Sequence, residues 1–389
     1  MEQIVSSIEN FLPKQYEENG RLPINHNYLK EQFLDHDEIL GKIKAVVVQG
    51  DFTLGLEVDR LEAEFALRNN VRHAVSVGSG TDALFLSLKA LGIGQGDEVI
   101  TTPFTFFATV GAIVTAGATP VFIDTRADYN IDPHAIEAKI SKKTKAIMPV
   151  HWSGRPCDMD VIESIGRESG LPIVSDACHA IDAKYKGRTS GELGTVACFS
   201  FHPLKNLNIW GDGGIVTTNS LDIANRLRLL RNHGLINRNT CDIFAYNSRL
   251  DTIQAVVARH MLAKIARITS GRRDNAAFFN GELARIPWIT VPTSTDEMSE
   301  VYHIYSVLCE NRDELKKYLI SNGIDAKVHY PVPMHLQPAA KYLGYRSGDF
   351  PVAESISKRT LSLPVHEFIT RDQQKYVVQT IRDFYDFKV

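Results

Sequence analysis

The sequence is short of cysteine. Its 389 residues hold five, Cys157, Cys178, Cys198, Cys241 and Cys309. The count is odd and no C-x-x-C pair occurs, so reduced, buried thiols are expected rather than a disulfide framework or a structural zinc site. Neither sign of charge is in excess: 43 Lys and Arg face 46 Asp and Glu, a net of -3. That balance argues against the basic face of a dedicated nucleic-acid binder and leaves room for a local pocket that takes a small phosphorylated ligand. No secretory leader is expected, because "MEQIVSSIENFLPKQYEENGR" carries acids and has no basic start followed by an apolar run. An uninterrupted membrane span is lacking too. Val99 to Ile123 is free of charge, but Pro103 and Pro120 break it and Gly and Thr dilute it. Strand, helix, strand is the better reading of that stretch, and the expected location is the cytoplasm. Internal repeats and low-complexity tracts are also missing.

What is present is ordinary for a soluble globular chain: 44% hydrophobic and 23% charged residues over a length that suggests two or three lobes. Residues 1–25 read as a polar N-terminal extension with one helical segment. "HDEILGKIKAVV" and "EVDRLEAEFA" have the apolar spacing of two amphipathic helices. From His73 the chain alternates: strand "HAVSV", helix "GTDALFLSLKAL", strand "EVITT", a helix from about Phe107 to Ala116, and strand "TPVFID". "DPHAIEAKI" reads as a helix with Asp132 as N-cap and Pro133 in first place, followed by strand "KAIMPV", helix "DMDVIESIGRES" and strand "PIVSDA". This alternation predicts an α/β fold with a mostly parallel sheet and ligands at the carboxyl ends of its strands. "TVACFSF" and "GGIVTTN" follow as short strands, and "LDTIQAVVARHMLAKIARI" as one long helix. After about Thr269 a basic helix, strand "VYHIYSVLC", helix "NRDELKKYLISNG", strand "AKVHY" and two terminal helices read as a smaller α+β lobe. The expected division is 1–25, a large lobe 26–268 and a small lobe 269–389.

Four features fall at strand ends of the large lobe. In "SVGSGTDAL" a helix opens at Gly80 and Thr81, and its free N–H groups suit a phosphate, though small residues also make plain tight turns. In "PIVSDACHA", Asp176 ends an apolar strand, where a carboxylate is costly without a cation. An N-cap or a structural salt bridge would serve as well as a functional role. Cys178 and His179 lack a second ligand pair of suitable spacing, so no metal is expected. In "SFHPLKNLNIWGDGG", Lys205 sits between an apolar run and a glycine-rich turn, with Ser200 five residues before it. Such a lysine either snorkels outward or is desolvated, and a desolvated lysine has a depressed pKa and can form a Schiff base with an aldehyde. In "FTFFAT" the aromatics are either core or a platform for a flat ring. Together these parts solve one problem. Pyridoxal 5'-phosphate needs a lysine (Lys205), an anion for its ring nitrogen (Asp176), donors for its phosphate (Gly80, Thr81, Ser200) and a stacking surface (Phe106).

The ordered segments "SGTDAL", "PFTFFAT", "SDACHA", "SFHPLKNL…GDGG", "AYNSRLDTIQA", "HYPVPMHLQP" and "LSLPVHEFIT" closely resemble the DegT/DnrJ family of pyridoxal-phosphate sugar aminotransferases, from about Ile24 to the C-terminus. The resemblance implies a fold-type I transferase that works as a homodimer with shared sites. It places the cofactor lysine at Lys205, the ring-nitrogen partner at Asp176, a ring neighbour at His179 and the stacking aromatic at Phe106. The phosphate site falls at Gly80, Thr81 and Ser200, and Asn247 reaches the phosphate of the other subunit. Arg249, His329, Tyr330 and His335 fall where relatives approach the substrate. Two departures stand out: His179 where many relatives carry glutamine, and "PVHWSGRPCDM" in place of a tyrosine-and-glycine loop. Relatives with histidine in place of the lysine are sugar dehydratases, so the retained Lys205 implies amino transfer. The reaction that the resemblance implies moves an amino group from an amino acid, most often L-glutamate in this family, through the pyridoxamine form of the cofactor to a keto-sugar, expected to be nucleotide-linked. The rivals are a non-nucleotide keto-substrate (a keto-deoxy sugar acid, a cyclitol or a phosphorylated ketone), a dehydratase, and a non-catalytic regulator on the same fold.

Overall fold

The computed structural model describes residues 22–26, 28–293 and 295–386. The helical segment expected near the N-terminus lies, up to residue 21, outside the described residues. Apolar runs in the large lobe form the strands β1 (His73–Val77), β2 (Glu98–Thr101), β3 (Thr119–Phe122), β4 (Thr144–Ile147) and β5 (Val174–Asp176). Two short hairpin strands follow, β6 (Lys184–Tyr185) and β7 (Arg188–Thr189), then β8 (Val196–Ser200) and β9 (Gly214–Thr218). Hydrogen bonding orders β1-β9-β8-β5 and β3-β2-β4. The parallel bridges Ile147 to Ile173 and Val150 to Asp176 join the two groups into one sheet, β3-β2-β4-β5-β8-β9-β1. The strand β9 alone runs against its neighbours, pairing antiparallel with both β1 and β8. The expected mostly parallel α/β architecture is therefore present, and the six parallel strands aim their carboxyl ends at one edge.

Helices cover both faces, which is why these strands are apolar on both sides. On one face lie α1 (His36–Gln49), α2 (Leu56–Arg68) and α7 (Thr252–Leu262), packing Phe65, Met261 and Val257 against Phe199, Phe201 and Ile215. On the other lie α3 (Gly80–Ala90), α4 (Phe107–Thr115) and α6 (Leu221–Leu230), where Leu84, Ile113 and Leu227 meet Val75, Val216 and Cys198. The remaining helix of this lobe, α5 (Met159–Ser169), closes a third cluster with Ile162 and Ile165 against Ile147 and Ile173.

Several elements differ from their sequence reading. The segment at Asp132 makes two 3-10 turns, Pro133–Ala135 and Glu137–Lys139, instead of a helix. Asp132 still caps, its carboxylate accepting from the His134 N–H at 3.1 Å. The long helix expected after Leu250 breaks at Ala263 and Lys264 and resumes as α8 (Ile265–Leu283). The expected lobe boundary at 268/269 falls inside α8. Ile268 belongs to the large-lobe core, while Ala276, Phe279 and Leu283 belong to the small-lobe core. Ile24 also crosses to the small lobe, pairing with Ile324. "AKVHY" forms no strand; it meets the sheet through a single bridge, Lys327 opposite Ser362, and through the His329 ring at the Ser362 hydroxyl. Cys241 is exposed, unlike the buried Cys157, Cys198 and Cys309. Among the described residues no helix is long and apolar enough to cross a membrane.

The small lobe is a three-stranded antiparallel sheet. Its strands are Ile289–Thr290, Tyr305–Cys309 and Thr360–Leu363, with α8, α9 (Arg312–Ser321), α10 (Pro351–Arg359) and the C-terminal helix α11 (Arg371–Asp386) packed around them. Its central strand begins only at Tyr305. Tyr302 takes a φ of 46°, a left-handed turn that bends the chain out of the strand path. That bend delivers His303 to the cleft between the lobes.

Candidate active site

The site gathers at the carboxyl ends of β1, β5 and β8, with β2 and β4 supplying the loops beside them. Asp176, the last residue of β5, is 5% exposed. Its Oδ2 accepts from the Thr109 hydroxyl at 2.7 Å and its Oδ1 from the Cys178 N–H at 3.2 Å. Thr109 is in turn 2.6 Å from the Thr105 hydroxyl. No cation lies within ion-pair distance of Asp176 among the described residues. Both oxygens thus keep spare acceptor capacity in a place where a lone carboxylate is costly.

Lys205 stands on a turn held at each end. Its N–H donates to the His202 carbonyl at 2.8 Å, and the neighbouring Asn206 amide donates to the Val301 carbonyl of the facing segment at 3.0 Å. The lysine side chain does not snorkel to solvent. Burial depresses its pKa below the ordinary 10.5, and the nearby Cys178 and Asp176 oppose that shift in part. The Cys178 thiol is itself pushed well above its ordinary value by burial, so the Asp176 carboxylate is the negative charge that matters at neutral pH. The Lys205 Nζ lies 3.5 Å from His303 Nε2.

Three imidazoles lie around this amine, the buried His179 and the half-buried His303 and His329. His179 has its ring centroid 4.4 Å from that of His303 and 5.5 Å from that of Trp152. Its Nδ1 accepts from the Ser153 N–H at 3.3 Å, so the neutral ring carries its proton on Nε2. Burial, then the Lys205 charge, holds both His179 and His303 well below 6.5. Burial also pushes His329 down to about 3, and its Nδ1 lies 2.9 Å from the Ser362 hydroxyl. All three are neutral at pH 7. Tyr330 packs against Trp152, Phe106 and Phe107 with centroids 5.3, 5.8 and 6.4 Å away, and burial raises its phenol above the ordinary 10.

At the other end, α3 opens at Gly80 behind the cap Ser79, whose hydroxyl accepts from the Asp82 N–H. The N–H groups of Gly80 and Thr81 have no helical carbonyl behind them, and Thr81 is exposed. Gly80 presses on β8: a Cβ there would lie 2.6 Å from the Ser200 Cβ and 3.1 Å from the Cys178 Sγ. Phe106, the residue before α4, is 46% exposed and lies beside Tyr330 with the two rings tilted by 41°. A lysine of lowered pKa, an uncompensated buried carboxylate, a helix start free to bind an anion and an exposed ring converge here.

The sequence model of the DegT/DnrJ/EryC1/StrS aminotransferase family matches residues 34–382. The chain belongs to this family. It is 42% identical over 351 residues to a "Pleiotropic regulatory protein" of Geobacillus stearothermophilus, covering 90% of this chain and 94% of that one. It is 41% identical over 343 residues to the dTDP-3-amino-3,4,6-trideoxy-alpha-D-glucose transaminase of Streptomyces venezuelae, covering 88% and 90%. The crystal structure of S. venezuelae DesV in complex with a ketimine intermediate superposes with a TM-score of 0.90 at 40% identity, over 94% of this chain and 98% of that one. The chain is an aminotransferase of fold-type I, and the family cofactor is pyridoxal 5'-phosphate.

The residues of this DegT-family chain fit that cofactor. The buried Asp176 carboxylate lacks the cation that a protonated ring nitrogen supplies, and the tight Gly80–Ser200 approach leaves the α3 N-terminus bare for a phosphate. The other expected residues divide. Asn247 is exposed and bridges Asn232, to which Arg249 also donates at 2.9 Å. The intervening Ser248 joins Gly78 and Asp82, so this segment lies beside the α3 start. His335 does not reach the cleft. It is sealed against Phe350 and paired with Glu354 at 3.1 Å, an anchor for the small-lobe loop. Sequence reading missed Thr109, Trp152 and His303. Thr109 had a signal, one helical turn after Phe106; His303 had none, because it was hidden in an apparent strand.

Gly80→Ala is expected to be damaging although the backbone there is unstrained. The added methyl overpacks against Ser200, which costs about 1 to 3 kcal/mol, and crowds the phosphate position. Thermal melts with and without cofactor check this: the variant should lose stability and lose most of the cofactor-induced rise. An unchanged rise would remove Gly80 from the phosphate site.

Proposed function

We propose that this chain transfers the amino group of an amino acid, with L-glutamate as first candidate, to the keto group of a nucleotide-linked sugar, in the cytoplasm and as a homodimer that shares its sites. The observation that carries the reading is Lys205. It is a partly buried lysine of lowered pKa, free of any carboxylate at ion-pair distance among the described residues, within electrostatic reach of the buried Asp176. When bound, the cofactor supplies the aldehyde carbon and the electron-withdrawing ring. Asp176 holds its nitrogen protonated, Phe106 and His179 border the ring, and Gly80, Thr81 and Ser200 hold the phosphate. Lys205 would hold the cofactor through its aldehyde carbon, and its amine, when free, would take and return the proton at the donor's α-carbon.

The substrate class rests on relatives such as the dTDP-amino-sugar transaminase, and on the retained lysine, which disfavours the dehydratase reaction. Sharing of sites is supported by apolar side chains left open next to Asn247. Ile236 and Phe244, on and after the hairpin Leu235–Cys241, are exposed, Phe244 fully. An absorbance spectrum before and after L-glutamate tests the first half. A visible band should give way to a near-ultraviolet one. Failure to respond would rule out glutamate as donor, and a panel of nucleotide-linked and free keto-sugars then separates the acceptors. Sedimentation should give a dimer, and Phe244→Asp should weaken both dimer and turnover. A fully active monomer would sink the shared site.

A further inference from the structure

We propose that His303 is a positioning residue for Lys205: its Nε2 accepts a hydrogen bond from the lysine amine and fixes the direction from which that amine meets its carbon partner. This rests on the reading of Lys205 as the cofactor lysine. The contact spans 3.5 Å, the outer limit of a hydrogen bond, and no other side-chain partner of the Nζ lies within that limit among the described residues. An ammonium can only donate, so Nε2 must be unprotonated and the ring proton must sit on Nδ1. Nδ1 is buried and has no partner among the described residues, so the contact at Nε2 is the one that sets the tautomer.

The imidazole is held as a tool would be. Its backbone N–H donates to the Ser153 carbonyl at 2.8 Å, and its carbonyl accepts from Arg272 Nη1 at 3.3 Å. Its ring lies against His179 at 45° between planes. The same loop thus fixes both rings, because Ser153 also donates its N–H to His179 and its hydroxyl to the Ile304 carbonyl. Gly154 makes this closeness possible: with φ +93°, a Cβ there would lie 2.4 Å from Val301 and 2.8 Å from the His179 carbonyl.

The charged or titratable groups facing the pair are His179, His329 and Arg272 around His303, and Cys178 and Asp176 around Lys205. The Lys205 and Arg272 charges add to burial in keeping His303 neutral, while Asp176 supports the charge on Lys205. The proton therefore stays on the lysine, and His303 acts by orienting it, not by removing it.

The test uses the full cofactor-free chain, mixed with pyridoxal 5'-phosphate from about pH 6 to about pH 9, a range that brackets a depressed lysine. Borohydride reduction then fixes the cofactor, and peptide mass reports labelling at Lys205. His303→Gln keeps an acceptor at the ε position and should label within about threefold of wild type. His303→Leu keeps the bulk without the acceptor. Its plateau rate should fall at least about tenfold, and its pH midpoint should move about one unit toward acid, since the ammonium has lost a partner. Identical rates and midpoints in all three chains would overturn the proposal. Equal slowing of both variants with an unmoved midpoint would also overturn it, by showing plain packing. Wild type that fails to label at Lys205 would instead overturn the reading of the lysine. If His303→Leu does not fold, the 15N spectrum of wild-type histidines, assigned with His303→Gln, decides: an Nδ1–H ring supports the proposal and an Nε2–H ring refutes it.

Discussion

Lys205→Ala should abolish amino transfer, lowering kcat by at least about 10⁴-fold, the upper range for loss of a positioned acid–base group. One atom has two tasks here. The Nζ joins the cofactor covalently, and the same Nζ, once freed, carries the proton. Binding and orientation by the rest of the site survive, so the variant should still take up cofactor, without the visible band of the lysine-bound form. The fold should also survive. The lysine has no carboxylate at ion-pair distance among the described residues, its turn is held by backbone bonds to His202, and the pocket must keep a cation partly desolvated. The cofactor-free variant should therefore melt within about 1 kcal/mol of wild type or above it. Lys205→Arg should be equally inactive, because a guanidinium stays protonated and cannot serve as the base. Turnover above about a hundredth of wild type in either variant, read against the range for acid–base groups, would show that the chemistry does not pass through Lys205.

The parts of this molecule that were legible in sequence are those whose cause is local. β1, β2, β3 and β5 are apolar runs closed by Gly, Pro or a polar residue, and their alternation with helices forces a parallel sheet. Strand ends then mark Asp176, Ser200 and Gly80 as neighbours, although Gly80 lies about a hundred residues before the other two along the chain. The errors arose where tertiary contacts override pattern. Asp132 and Pro133 look like a helix start, yet the segment settles into two 3-10 turns with Ile136 packed in the core. His303 lies in an apolar, β-branched run, and only the left-handed turn at Tyr302 takes it off the strand path. His335 shows the reverse. Its motif position suggested the substrate, but Glu354, nineteen residues later, holds it in the interior. A histidine's partner can come from anywhere in the chain, so its role is not written in its own neighbourhood. The substitution of His179 for the more usual glutamine becomes intelligible in the same way. Its ring fits because Ser153 turns a backbone N–H toward Nδ1, and Trp152 covers its side.

Asp176→Asn should separate the cost of this site from its use. Asparagine keeps the size and can still accept from Thr109 or from the Cys178 N–H. What it removes is charge. In the cofactor-free chain the buried carboxylate has no cation at ion-pair distance among the described residues, so losing its charge should leave stability unchanged or raise it. With cofactor the sign reverses. A protonated ring nitrogen would face a neutral amide, and breaking one side of a buried ion pair costs about 3 to 5 kcal/mol, or roughly 10² to 4 × 10³-fold in affinity or turnover. The variant should then show a smaller cofactor-induced rise in Tm, a weaker cofactor Kd and a turnover lowered by that factor. Thr109→Val should move the same quantities in the same direction by less, since it deprives the carboxylate of one donor and leaves its charge. The opposite pattern, a marked loss of stability without cofactor and an unchanged Kd, would mean that Asp176 serves only to tie β5 to α4. The ring nitrogen would then need another partner. Among the described residues, Asp176 is the buried carboxylate that acts on both Lys205 and Tyr330, which is why its removal should register at the lysine as well. With that negative charge gone, the Lys205 ammonium loses support and its pKa falls further, so the pH profile for cofactor capture should shift toward acid in Asp176→Asn.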